Sequence, residues 1–304
     1  MKTTVVPGIV VSFALSLSLS VAPATSRADI LYITGETATN TIEKVDSSGV
    51  RTLFANSGLY DPISLASDSA GNLYAANRDN TIEKFSSSGT DLGVFANSGL
   101  SLAVSLAFDS AGNLYAANKD NNTIEKFGAS GTNLGVFASS GLNTPEGLAF
   151  DSAGNLYVSN NGNNTIEKFG ASGTNLGVFA SSGLSAPVGL AFDGAGNLYV
   201  ANFGDSIEPS HSSIEKFNSS GTNLGVFATS GVDLPTALAF DSAGNLYAIN
   251  RGNYVEKFDT SGVGTFFVLT GGYGLAVQPI PEPSTWALVV GSLIALFSVK
   301  QRRA

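Results

Sequence analysis

Along most of the chain, apolar residues fall in runs of four or five separated by clusters of Gly, Asn, Asp and Ser, and none of these runs keeps a helical period. The runs recur at a fixed interval. The phrase Asp-Ser-Ala-Gly-Asn-Leu-Tyr begins at Asp68, Asp109, Asp151 and Asp241, with a near copy at Asp193, giving spacings of 41, 42, 42 and 48 residues. Ile-Glu-Lys begins at Ile42, Ile82, Ile124, Ile166 and Ile214, with Val255 as its sixth counterpart, and Gly-Val-Phe-Ala ends at Ala96, Ala138, Ala180 and Ala228. A period of this length with only short strands in it points to a solenoid or a propeller. In the third repeat the predicted strands are Ser105–Phe108, Asn113–Ala117, Thr123–Phe127 and Leu134–Ala138. Four strands in one repeat match a propeller blade, whereas a β-helix rung would hold fewer.

The expected fold is therefore all-β: a six-bladed β-propeller of four-stranded blades over residues 29–278. Asp29–Ile33 aligns with the second strand of a repeat and Tyr273–Val277 with a first strand. The two ends should then pair and close the ring, leaving few open edges. The unit Gly-Leu-Ala-Phe-Asp…Gly-Asn-Leu-Tyr-Val…Thr-Ile-Glu-Lys-Phe at residues 147–169 resembles an NHL repeat. That resemblance implies a fold and a binding platform more than one activity.

The ends read differently. Met1–Ala24 has Lys2, an apolar stretch from Val5 to Val21 and the small-residue exit Ala22-Pro23-Ala24, the build of a secretory signal. Residues 279–304 carry Pro281-Glu282-Pro283, the apolar run 286–299 and the basic tail Lys300-Gln301-Arg302-Arg303. An apolar run with trailing bases suits a helix held at a membrane with its end in the cytoplasm. The order of the three parts closely resembles the PEP-CTERM sorting domain. The resemblance implies recognition at Pro281, Glu282 and Pro283 by an exosortase-type enzyme of a Gram-negative bacterium. It further implies membrane residence through the C-terminal helix before processing, then delivery to the cell surface or extracellular matrix.

Composition narrows the chemistry. Without residues 1–24 and 284–304, 11 basic residues face 24 acidic ones, a net charge of −13 that disfavours a nucleic-acid partner. Cysteine is absent, which excludes disulfides and thiolate chemistry. In the Asp-Ser-Ala-Gly-Asn phrase a turn, with Asp bonding its own backbone and Gly at positive φ, is preferred to a Ca²⁺ loop, which needs more oxygen ligands. Alternation along a strand places Glu125 and Lys126 on opposite faces of a blade, so a ring of Glu–Lys pairs between adjacent blades is expected.

The fifth repeat is longer by six residues between its second and third strands, and this insertion holds Asp205, Glu208 and His211, the one histidine of the chain. These three form a candidate ligand or metal loop for a divalent cation, although a solvated loop is the preferred reading. No other cofactor is expected. Asn77, Asn118, Asn160, Asn202 and Asn250 follow the second strands and could line a channel mouth, but their recurrence suits a cap better. Streptogramin lyases and gluconolactonase-like hydrolases have comparable folds, and the resemblance supplies a second reading: a metal-dependent lyase or hydrolase. The first reading is a non-enzymatic surface or matrix scaffold that binds polysaccharide or a surface protein.

Overall fold

In a computed structural model of the chain, the described residues are 29–35, 39–204, 212–251 and 253–278, and every regular element among them is a β-strand. The signal segment, the Pro281-Glu282-Pro283 motif and the Asp205–His211 insertion lie outside the described residues.

Six four-stranded antiparallel sheets form six blades. Blade III shows the plan, with β8 (Ala103–Phe108), β9 (Leu114–Asn118), β10 (Thr123–Phe127) and β11 (Asn133–Ala138) running outward in chain order. The predicted strands differ from these by at most two residues at any end. The inner strands of the other blades are β4 (Pro62–Ser67), β12 (Pro145–Phe150), β16 (Pro187–Phe192), β20 (Pro235–Phe240) and β24 (Leu275–Gln278). Each packs on the next, and β24 packs on β4, so the six make a closed ring. Pro opens four of these strands at a position where no ladder donor is needed.

Closure is as the sequence predicted. β24 pairs antiparallel with β1 (Ile30–Thr34), with Leu31 opposite Val277 and Tyr32 opposite Ala276, and β2 (Ile42–Val45) and β3 (Arg51–Ala55) complete blade I. Tyr32 Oη donates to Gln278 Oε1 at 3.0 Å across the seam, and the Gly274 N–H donates to Thr34 Oγ1 at 2.9 Å.

Apolar side chains on both faces of each sheet form cores between successive blades. Phe127 packs toward blade II with Tyr74 and Ile82, while Ile124 packs toward blade IV with Leu156 and Phe169. The alternation inferred from Ile-Glu-Lys-Phe therefore holds. Tyr115 is the hub of its interface: Phe137 of its own blade and Phe150 of the next both meet it edge-on with centroids 4.9 Å away. The same edge-on triplet recurs around Tyr74, Tyr157 and Tyr199. Such pairs add about 0.5–1.5 kcal/mol each beyond simple burial.

The expected Glu–Lys ring between blades is not formed among the described residues. Lys126 turns instead to its own blade, with Nζ 5.0 Å from the Tyr115 ring centre and 3.8 Å from Asp109 Oδ2. Lys168, Lys216 and Lys257 repeat this with Asp151, Asp193 and Asp241. Glu125 lies one residue nearer the opposite end of the strand and seats against Gly99 in the link between blades, where a Cβ would fall 2.5 Å from its Oε1. Each head group thus has a closer partner at its own end of the blade, and the two diverge.

Candidate channel mouth

The inner strands enclose a cavity of about 300 Å³ along the axis of the ring. Its walls are layered by the strand period. Leu65, Leu106, Leu148, Leu190, Leu238 and Leu275 form one apolar tier, and beside it come the small residues Ser64, Ser105, Gly147, Gly189, Ala237 and Gly274. Gly147 and Gly189 are required by close approach: a Cβ on Gly147 would lie 2.0 Å from Val188 O, and one on Gly189 would lie 3.0 Å from backbone atoms of blade VI. Hydroxyls stitch adjacent walls together, with the Leu106 and Leu148 N–H groups donating to Ser64 Oγ at 3.1 Å and Ser105 Oγ at 3.2 Å.

The next tier out loses the symmetry. Its residues are Ile63, Val104, Glu146, Val188, Thr236 and Tyr273, one from each blade. Arg78 and Lys119 also border the cavity, each being the residue after a repeated Asn. Lys119 Nζ bonds Glu146 Oε1 and joins blade III to blade IV. Arg78 Nε bonds Asp61 Oδ2 within blade II, and the Arg251 guanidinium sits 5.7 Å from the Phe203 ring centre, joining blade VI to blade V. The five residues after the Asn are thus Arg78, Lys119, Asn161, Phe203 and Arg251, yet each backbone is tied to the same link, Arg78 one residue further back than the rest. Each N–H donates to the link just before its own inner strand, at Tyr60, Leu102, Thr144, Ala186 and Leu234 respectively, over 3.0–3.2 Å.

Backbone strain is concentrated at the same end. Asp61, Leu102, Thr144, Ala186 and Leu234, which immediately precede the inner strands, have φ between 44° and 51°. Non-glycine residues in this region cost roughly 1–2 kcal/mol each. They are held there by side chains from the preceding blade: the N–H groups of Leu102, Thr144 and Ala186 donate to Asn80, Asn122 and Asn164, and that of Leu234 to Ser212.

The repeated Asn residues do not line the mouth. Asn118 is fully buried: its Oδ1 accepts from the Ser101 N–H at 3.1 Å, and its Nδ2 donates to Gly99 O at 2.7 Å and Thr123 Oγ1 at 3.1 Å. Asn77, Asn160, Asn202 and Asn250 cap the equivalent links in the same way. At the opposite end of each blade the Asp phrase is the predicted turn. Asp151 Oδ1 accepts from the N–H groups of Ala153 and Asn155, and its Oδ2 accepts from Asn155 Nδ2 at 2.8 Å and Tyr157 Oη at 3.2 Å. Burial works against this charge, but the hydrogen bonds outweigh it and hold the Asp151 carboxyl below its usual range. Gly154, at φ 81°, supplies the positive φ of the turn.

Blade II differs in one further place. Blades III to V carry Asn133, Asn175 and Asn223 at the start of the outer strand, with Nδ2 donating to a link carbonyl beside the buried Glu. Blade II has Asp91 there, beside Glu83. Burial, together with a hydrogen bond that the protonated Glu83 carboxyl donates to Asp91 and the charges of Asp91 and Asp79, pushes Glu83 up to about 7.

Residues 142–169 match the model of the NHL repeat. This repeat sits in blade IV, and its neighbours copy it. No curated protein matches the chain. Among solved structures, a chain from a nidogen/laminin complex is 22% identical, with a TM-score of 0.71 over 82% of this chain and 98% of that one. A gluconolactonase from Xanthomonas campestris is 20% identical, with a TM-score of 0.60 over 85% and 96%. A streptogramin B lyase is 16% identical, with a TM-score of 0.59 over 83% and 94%. At these identities the likeness is one of fold. The comparisons thus place NHL-type blades in a propeller architecture that includes a gluconolactonase, a streptogramin B lyase and a chain of a nidogen/laminin complex.

Arg78, Lys119, Glu146 and Arg251 were not singled out from the sequence. The signal was present in the repeat columns: the residue after each Asn and the second residue of each inner strand change from blade to blade, while the Asn itself and the Leu two residues further along the inner strand do not.

Proposed function

We propose that this NHL-type propeller is an exported binding scaffold that recognises its partner at the channel mouth. The observation that carries the reading is how the polar residues divide. Those that recur are committed to turns, caps and blade contacts, while Arg78, Lys119 and Glu146, whose columns vary, border one end of the channel. The mouth offers hydroxyl, amide, aromatic and paired charged groups around an apolar floor, which suits a polyhydroxylated polymer such as extracellular polysaccharide. A chain of the nidogen/laminin complex shares the fold, which is in keeping with a propeller that serves as a binding partner in a complex. The three-part C-terminal segment supports surface or matrix delivery after processing by an exosortase-type enzyme at Pro281-Glu282-Pro283, with residues 1–24 removed on export.

The test is affinity electrophoresis of residues 29–278 in gels cast with bacterial extracellular polysaccharide. Retardation that is lost in an Arg78→Ala, Lys119→Ala double variant is expected, and equal mobility with and without polysaccharide would reject the reading. The gluconolactonase and the lyase support a second reading, a hydrolase or lyase using Glu146, the one carboxylate lining the cavity among the described residues, with Asp205, Glu208 and His211 as metal donors. Its mark would be turnover of a sugar lactone that disappears in both Glu146→Gln and His211→Ala.

A further inference from the structure

One departure from the repeat lies just outside the channel mouth, and the fold gives no reason for it. Among the described residues, large apolar side chains that are more than half exposed lie on outer strands or immediately before them, with Tyr60 the exception at 58%. Tyr60 stands on the link from β3 of blade I to β4 of blade II. Its N–H donates to Asn77 Oδ1 at 3.1 Å, and in blades III to VI the same bond is made by Ser101, Asn143, Ser185 and Asp233. Four blades thus place a short polar residue at this position, and blade II places an aromatic ring. The tyrosines of the second strands, such as Tyr74 and Tyr115, are buried edge-on against phenylalanines. The Tyr60 ring meets no other ring and no cation among the described residues.

Its neighbours supply hydrogen-bonding groups of both kinds. Tyr60 O accepts from the Arg78 N–H at 3.0 Å, and Asp61, the next residue, holds Arg78 Nε through Oδ2. Lys119, paired with Glu146, borders the same cavity as Arg78. The Arg78 side chain is 50% exposed and that of Lys119 36%. A guanidinium has five N–H donors and an ammonium three, so each pair keeps donors to spare beside a carboxylate acceptor. Charge is already balanced here. Both bases hold a carboxylate, Asp79 and Asp120 follow them in the chain, and the formal net charge is −9, so an anionic polymer is repelled. An exposed ring beside paired donors and acceptors, with no net positive charge, suits a neutral sugar: its C–H face stacks on the ring and its hydroxyls meet the polar groups.

We propose that Tyr60 is a stacking platform that extends the site from the channel mouth onto the blade II link, and that its occupant is a neutral hexopyranose unit of the polysaccharide. This rests on the reading of the mouth as a polysaccharide site and narrows it to uncharged polymers. One sugar lies on Tyr60 while the chain continues to Arg78 and Lys119. Salt has little effect on such a contact, because binding neutralises no net charge.

Affinity electrophoresis of residues 29–278, which contain the whole of the closed ring and its cores, tests the proposal in gels cast with hydroxyethylcellulose, galactomannan or alginate. Retardation is expected in a neutral gel, at low and raised salt alike, and not in alginate, whose sugars are uronates. Tyr60→Ser installs the residue that blades III and V carry, so it should keep the thermal midpoint and weaken retardation about tenfold or more. The one tryptophan of the chain, Trp286, lies outside this piece, so in Tyr60→Trp the substituted ring reports alone. Its emission should move to shorter wavelength as the neutral polymer is added. Retardation by alginate above both neutral gels, no retardation in either neutral gel, or Tyr60→Ser retarded as strongly as wild type overturns the proposal. Emission that stays fixed while the polymer binds overturns it as well. In each of these cases the mouth reading stands where bacterial extracellular polysaccharide still retards the wild type and not the Arg78→Ala, Lys119→Ala variant.

Discussion

The two ends of each blade are built from the same repeat yet treat it in opposite ways. At the end where the first strand turns into the second, Asp68, Asp109, Asp151, Asp193 and Asp241 each make the same turn, accepting from the backbone N–H and side-chain amide of the Asn four residues on. At the other end each backbone is likewise tied to the link before its inner strand, but the residues it presents are Arg78, Lys119, Asn161, Phe203 and Arg251. Uniform side chains on uniform backbone serve the fold. Varied side chains on uniform backbone are how one fold acquires a particular partner, as variable loops on a rigid frame do elsewhere.

The largest effect that could break this comparison belongs to the turn end. Asp151→Ala removes the acceptor of four hydrogen bonds, one of them from the nearly buried Tyr157, and should lower unfolding free energy by about 3 kcal/mol in urea titrations. A loss below about 1 kcal/mol would mean the repeated Asp is free for another duty.

Blade II sharpens the contrast through pH. The folded protein keeps the Glu83 proton up to about pH 7, whereas the unfolded chain releases it near 4.5, so this group's stabilisation is whole below about 4.5 and is lost as pH rises to 7. Asp68, Asp109, Asp151 and Asp193, held below their usual range, act with the opposite sign and weaken the fold only as pH falls through their lowered values. Asp91→Asn, which installs the amide of blades III to V, should therefore flatten the fall in urea midpoint between pH 5 and 8. An unchanged fall would place the titrating group elsewhere.

A smaller effect is expected where the mouth stores strain. Ala186→Gly at φ 47° should stabilise by about 0.5–1 kcal/mol, whereas the same substitution at an ordinary position destabilises.

The sequence carried the fold almost completely, because a blade is a local object. Its turns are written in Asp, Gly and Asn at fixed offsets, and repetition reports the same turn five times. Closure was legible too, since a missing first strand at one end and an extra one at the other leave one arrangement. The Glu–Lys ring was misread because alternation gives the face a side chain points to but not the height it reaches. Lys126 bends toward Tyr115 and Asp109, and Glu125 toward Gly99. The mouth was missed for a related reason: repeated letters draw attention to columns that agree, and the residues that make this site lie in the columns that do not. The left-handed φ of Leu102, Ala186 and Leu234 had no sequence signal, since none of these residue types favours it.

Adjacent residues allow the sharpest test. Asn118 is a buried cap in the uniform set, and Lys119, the next residue, belongs to the varied set and bonds Glu146 at the mouth. Urea unfolding of Asn118→Ala beside Lys119→Ala measures the division directly. A loss of about 3 kcal/mol for the first and no more than about 1 kcal/mol for the second is the result this division predicts. Equal losses would show that both ends of the blade serve the fold alone, and would leave the channel mouth without its claim to function.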